Sequence, residues 1–193
     1  MYINISISNY YMKNLIEIIG VPGAGKTFYL NKINNPKIKC IDFGTEFKIW
    51  ITKKNKKYSG EWPPKKYVKE FIDLLKNQNT PLIITSHVVH YRNNKFFYAF
   101  DYEIYTRASA HIFIYSDPKD ILSRIKKDYQ DTERAREILP LYKIKKHQDL
   151  SLEKTKQLSA KLGSELLILE NAKGKETENI LQIKKLVEDV NSC

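Results

Sequence analysis

LIEIIGVPGAGKTFYL, residues 15 to 30, joins an apolar strand-like run, a glycine-rich turn and a helix-compatible run in that order. Gly20 to Thr27 fits the pattern Gly, four residues, Gly-Lys-Thr, and its setting between strand and helix is what that pattern needs. Glycines let backbone N–H groups converge on phosphate oxygens, and the helix that follows points its positive end at the anion. Gly20, Gly23, Ala24, Gly25, Lys26, Thr27 and Phe28 are therefore the expected nucleotide-binding run. Lys26 is expected to reach the β- and γ-phosphates, and the Thr27 hydroxyl to ligate magnesium. A turn that merely joins strand to helix would not require Lys-Thr at that place. The expected cofactors are ATP and Mg2+.

Outward from this loop, further β-branched apolar runs bounded by turn signals read as buried parallel strands: Ile38 to Phe43, Leu82 to Thr85, His111 to Tyr115 and Leu166 to Leu169. Helical patterns separate most of them, at Thr27 to Asn34, Pro63 to Lys76, a helix opened by Asp117 and Pro118, Ser151 to Leu162, and Glu176 to Val190. Gly163 ends the fourth of these. The alternation predicts an α/β fold of three layers, the P-loop NTPase type, with a mostly parallel five-stranded sheet and helices on both faces. Ligands of such folds bind outside the carboxyl ends of the strands.

A length of 193 residues suits one domain with excursions. The expected excursions are an acceptor-side insertion at about 45–80 and a lid-like segment at about 128–147, with residues 1–13 as a dispensable extension or an extra edge strand. Translation from Met12 would remove most of that extension. Two cysteines, Cys40 and Cys193, give neither a disulfide framework nor metal-ligand spacing. No run is apolar enough for a bilayer and the first residues lack a signal-peptide layout, so a cytoplasmic location and no membrane partner are expected. The formal charge of +11 raises the local concentration of nucleotides and nucleic acid alike. Lys53, Lys54, Lys56, Lys57, Lys65 and Lys66 cluster with Tyr58 and Trp62, either as a nucleic-acid patch or as a solvated loop.

GVPGAGKT, DFGTEF at Asp42 to Phe47, a third strand ending in Ser86-His87, and SDPKDILSRIKKD at Ser116 to Asp128 occur in the order found in archaeal-type adenylate kinases, which this chain resembles from about Asn14 to Asn171. The resemblance implies phosphoryl transfer from ATP to a nucleoside monophosphate. It implies that Gly44 and Thr45 begin the acceptor site and that Arg124 contacts the donor nucleotide. Arg134 and Arg136 in DTERAR are similar to the paired lid arginines that, with Lys26, act on the transferring group, and Asn171 to Gly174 to the loop bordering the donor base. On the residues alone, Arg124 and Asp128 are spaced to pair on a helix surface, and Arg134 and Arg136 to lie on a solvated charged face. His87 at a strand's carboxyl end is either a group near the phosphates or a hydrogen-bonded structural histidine, and Arg92 and Arg107 are the nearby candidates for phosphate contact. Phe96 to Tyr105 reads as a core-packing helix in preference to a base-binding platform.

The pattern departs from the family at two places. Where those kinases carry Asp-Thr-His, this chain has Thr85, Ser86 and His87, so the magnesium loses a carboxylate unless Asp42, Asp101 or Asp117 replaces it. The stretch Lys48 to Tyr58 offers lysines in place of the arginine that grips the acceptor phosphate, and lysine lacks the bidentate fork. A degenerate ATP-binding or ATPase module engaging RNA or protein, and a polynucleotide 5′-hydroxyl kinase, are the alternative readings.

Overall fold

The structure is a computed structural model that describes residues 15–33, 35–54, 65–76, 80–98, 108–131 and 137–192. Strands β1 (Leu15–Ile19), β2 (Lys39–Asp42), β3 (Leu82–Ser86), β6 (Ala110–Tyr115) and β7 (Glu165–Glu170) form one sheet in the order β2-β3-β1-β6-β7, with every pairing parallel. A separate antiparallel hairpin joins β4 (Val89–Arg92) to β5 (Lys95–Tyr98). Asn93 and Asn94 turn it with φ of 50° and 61°, a conformation that asparagine tolerates better than most residues.

Helices α1 (Lys26–Lys32), α2 (Phe43–Lys53), α3 (Lys65–Lys76), α4 (Pro118–Asp131), α5 (Leu141–Leu162) and α6 (Glu176–Ser192) cover both faces. The strand period of two decides which residue faces which layer. Ile16 and Ile18 of β1 pack with Tyr29 and Leu30 of α1, Ile121 and Ile125 of α4, and Ile183 and Leu186 of α6. On the other face, Leu15 joins Phe47 and Ile51 of α2 and Phe71 and Ile72 of α3. Ile19 and Phe113 meet the hairpin's Val89 and Leu158 of α5. Both faces of the central strands are therefore dry, as the continuous apolar runs require.

One polar pair interrupts that dry interior. His111 Nε2 lies 3.5 Å from Glu17 Oε2 with both side chains fully buried. The hydroxyls of Ser159 and Ser164 lie 3.1 and 2.8 Å from His111 Nδ1, and Ser86 Oγ donates to Glu17 Oε1. Burial pushes the His111 pKa down to about 4.

Three expectations change. Gly44 and Thr45 are in the first turn of α2, because Asp42 caps that helix by accepting from the Thr45 N–H at 3.1 Å, so Phe43 is helical as well. The helix expected from Ser151 begins at Leu141, ten residues earlier, after Pro140 supplies an extended N-cap. Lys95 to Tyr98 is a strand, the hairpin's second, and the rest of the aromatic segment, 99–105, lies outside the described residues. The lid-like range 128–147 takes in the end of α4 and the start of α5, with 132–136 outside the described residues.

Candidate functional site

The carboxyl ends of β1, β2, β3 and β6 converge on the loop at residues 20–25. Gly20 passes so close to β6 that a Cβ there would lie 2.6 Å from the Ile114 carbonyl oxygen. Gly25, with φ of 100°, caps α1, and a Cβ there would lie 2.2 Å from Asn171 Nδ2. No side chain caps α1, which leaves its first N–H groups for an anion. Lys26 is buried, and its Nζ donates to the carbonyls of Gly20 at 2.8 Å and Val21 at 3.1 Å.

Beside it stands an oxygen cluster. Thr27 Oγ1 donates to Asp42 Oδ2 at 3.2 Å, and Thr85 Oγ1 donates to the same oxygen at 3.1 Å. Sheet order produces this, since β2 and β3 are neighbours with Asp42 paired to Thr85. Burial works to raise the Asp42 pKa, but hydrogen bonds from Thr45, Thr85 and Thr27 outweigh it and the net shift is downward. Asp42 is thus an anion at neutral pH next to the loop hydroxyl. A hydroxyl and a carboxylate are hard oxygen donors that suit magnesium, which takes one or two carboxylates and completes its shell with phosphate and water. Among the described residues no group of three His, Cys, Asp or Glu forms a metal cage, and magnesium needs none. Asp117, by contrast, accepts from the Lys119 N–H at 2.7 Å at the start of α4, which is a capping role. Asp101 lies outside the described residues.

On the opposite side of the loop, Arg124 Nη1 donates to Gly23 O at 3.3 Å and Ser116 Oγ at 3.0 Å. The arginine therefore reaches the phosphate loop itself. Ser116 Oγ donates to Asn171 O at 2.7 Å, and Asn171 Nδ2 donates to Ala24 O at 2.8 Å. Tyr29 OH donates to Asn171 Oδ1 at 3.1 Å, and Asn179 Nδ2 holds Tyr29 OH and Glu170 O, each at 2.8 Å. These buried contacts brace the loop against the 171–174 turn. In the sequence Asn171 stands out only as part of that turn, and Tyr29 and Asn179 carry no signal because they are single polar residues in ordinary helical stretches.

A cavity of about 250 Å³ opens next to Lys26, lined by Val21, His87, His90, Tyr91, Glu137 and His147 with an apolar wall from α4 and α5. His87 Nδ1 lies 2.7 Å from Gly20 O, so that nitrogen carries the proton, and Lys26 Nζ approaches it to 3.4 Å. Burial, then the Lys26 charge, hold the His87 pKa well below the usual imidazole range. Burial and then His147 lower His90 to about 4, and burial lowers His147 even though its Nε2 donates to Val89 O at 2.9 Å. The cavity is lined by neutral imidazoles at neutral pH.

Gly20, Gly23, Ala24, Gly25, Lys26, Thr27, His87 and Arg124 are thus brought to one place. Phe28 is 42 % exposed on α1 with Lys32 Nζ 5.7 Å from its ring centroid. Gly44 and Thr45 adjoin the cluster through Asp42. Arg92 is exposed at the turn end of β4, outside the cavity lining. Arg107, Arg134 and Arg136 lie outside the described residues.

A family model described as AAA domain matches residues 19–145. No curated protein matches the chain. Among solved structures, the crystal structure of TT1252 from Thermus thermophilus is similar at 14 % identity, covering 90 % of this chain and 96 % of that one with a TM-score of 0.48.

Proposed function

The chain belongs to the AAA domain family, a family of P-loop nucleotide-binding modules, and on that premise we propose that it transfers the γ-phosphoryl group of ATP to a nucleoside monophosphate. The observation that carries the reading is the Thr27–Asp42 pair, since it supplies the anionic oxygen that the third strand lacks. Magnesium bound there would neutralise charge on the β- and γ-phosphate oxygens.

The remaining work belongs to the chain. Lys26 exchanges its Gly20 and Val21 carbonyls for phosphate oxygens, so the ammonium is already stationed at the loop before nucleotide arrives. Arg124 fixes the loop backbone at Gly23 and adds positive charge on the donor side. An acceptor phosphate is ionised at neutral pH and needs no base, which fits neutral histidines that neither repel Lys26 nor compete for the phosphate as cations. The proposed roles of Arg134 and Arg136 are to close over the transferring group and exclude water. Gly44, Thr45, His87 and Arg92 are the proposed acceptor-side residues, and the cytoplasm is the proposed setting. Among the described residues no helix is long and apolar enough to cross a membrane.

The test is transfer from magnesium ATP to a panel of ribo- and deoxyribonucleoside monophosphates, with Lys26→Ala as the blank. A Lys26-dependent diphosphate product supports the reading. Hydrolysis alone, with every monophosphate returned unchanged, overturns it.

A further inference from the structure

The β4–β5 hairpin and the amino-terminal part of α5 form a surface of which the phosphoryl-transfer reading uses only Arg92. His147 Nε2 ties α5 to Val89 O at 2.9 Å, and the rings of Tyr91 and Phe96 and of Phe96 and His147 pack with centroids 4.8 and 5.4 Å apart. The hairpin is therefore held against the helix as a fixed platform. Its outer part is aromatic and open to solvent: Tyr98 is 57 % exposed, and Tyr142, at the start of α5, 68 %.

Cations stand over these rings. Lys143 Nζ lies 5.1 Å from the Tyr91 centroid, Lys146 Nζ 5.9 Å from that of Phe96 and Lys154 Nζ 5.6 Å from that of Tyr98. The hairpin contributes Arg92 and Lys95 and no acid, and α5 through Lys154 contributes four lysines against Asp149 and Glu153. Asp149 is engaged by Lys145 at 3.1 Å and Glu153 by Gln157 at 3.2 Å. With Glu137, whose charge acts on Lys143, six cations stand against three acids, and Lys145 is paired with Asp149, which leaves the face positive in a chain of net charge +11.

We propose that this face binds a single-stranded polynucleotide, with a base stacked on Tyr98 and backbone phosphates on Lys146 and Lys154. Charge complementarity selects a polyanion, and an exposed ring with a lysine 5.6 Å from its centroid sets an aromatic surface beside a cation, as the alternation of base and phosphate along a strand requires. Paired bases hide their faces, so a duplex gains only the electrostatic part. Tyr91 belongs both to this face and to the cavity beside Lys26, which makes the two surfaces continuous.

The experiment is fluorescence anisotropy of a labelled oligothymidylate of about 15 nucleotides at about 50 mM salt, on wild type, Tyr98→Ala and the pair Lys146→Glu with Lys154→Glu. Fluorescent ATP-analogue binding and circular dichroism serve as controls for folding. Tyr98→Ala is expected to weaken binding about 5- to 150-fold, the range for removal of one stacked base. Charge reversal is expected to flatten the dependence of log K on log salt by about 0.7 for each phosphate that is no longer neutralised. Absence of binding by folded wild type, indifference to Tyr98→Ala, or equal competition by a duplex of the same length would each overturn the proposal. Lys26→Ala should bind the oligonucleotide as wild type does, so a failure of the phosphoryl-transfer reading is told apart from a failure of this one.

Discussion

The Thr27 hydroxyl donates to the Asp42 carboxylate at 3.2 Å across a separation of fifteen residues. The contact exists because β2 lies beside β3, which brings its last residue level with Thr85 and against the mouth of the phosphate loop. A carboxylate on the second strand thus stands where the third strand offers only a hydroxyl.

Asp42→Asn is expected to raise the magnesium concentration needed for ATP turnover and to lower turnover at limiting metal about 10- to 100-fold. Asparagine caps a helix about as well as aspartate, so α2 and the fold should persist. Magnesium titration of Asp42→Asn beside Asp117→Asn is the check. Only the first should move, and equal magnesium curves for all three proteins would remove Asp42 from the metal site.

Lys26→Ala should abolish nucleotide-dependent turnover by a factor of about 10² or more. The structural loss is small, because the Gly20 carbonyl keeps the His87 Nδ1 hydrogen bond at 2.7 Å. Thermal melting and turnover measured on the same preparation separate these effects. A folded variant with undiminished activity would refute the assignment of the loop.

Asn171→Ala removes a partner of Ala24 O and the acceptor of the Tyr29 hydroxyl proton in a buried setting, while Asn179 still donates to Tyr29 OH. A stability loss of about 1–3 kcal/mol is expected, together with weaker ATP binding as the loop loosens. Chemical denaturation and nucleotide titration test the two parts separately. Reduced stability with unaltered nucleotide affinity would mean that Asn171 braces the fold and not the loop's function.

Acid should destabilise the protein before its carboxylates titrate. His111 has a folded pKa of about 4 against an ordinary value of 6.5. Above the ordinary value neither state holds the extra proton and stability is complete. Below it the unfolded chain binds a proton that the folded chain refuses, so stability falls by about 1.4 kcal/mol per pH unit for this residue until the folded pKa is reached. His87, His90 and His147 shift in the same direction. The lowered pKa of Asp42 acts further down, its contribution being lost as pH falls through the folded value. Urea midpoints at about pH 7, 6 and 5 should decline in order. An imidazole titration that places His111 at its ordinary pKa would contradict this.

The sheet was largely legible in the chain because its signals are local. The three central strands, β1, β3 and β6, are short runs that are almost wholly buried, while the edge strands β2 and β7 are partly exposed, and GVPGAGKT specifies its own turn through glycines at φ of 79° and 100°. Helix starts were less legible. Asp42 caps α2 from what reads as the end of a strand, and Pro140 opens α5 ten residues before its clearest apolar stripe. The hairpin was missed because Asn93-Asn94 sits between two segments of mixed aromatic and basic residues, with no clean alternation to set a period of two.

By itself, then, the amino-acid sequence determined the phosphate loop, the parallel strands and the positive charge, all of which depend on residues near one another in the chain. Tertiary structure alone decided that Asp42 faces Thr27, that Asn171 reaches Ala24 across 147 residues, and that His87, His90 and His147 share one cavity. The physical reason is that strand order and helix docking are fixed by how whole faces pack. A side chain's long-range neighbours follow from that packing and leave no periodic trace in the segment that carries it.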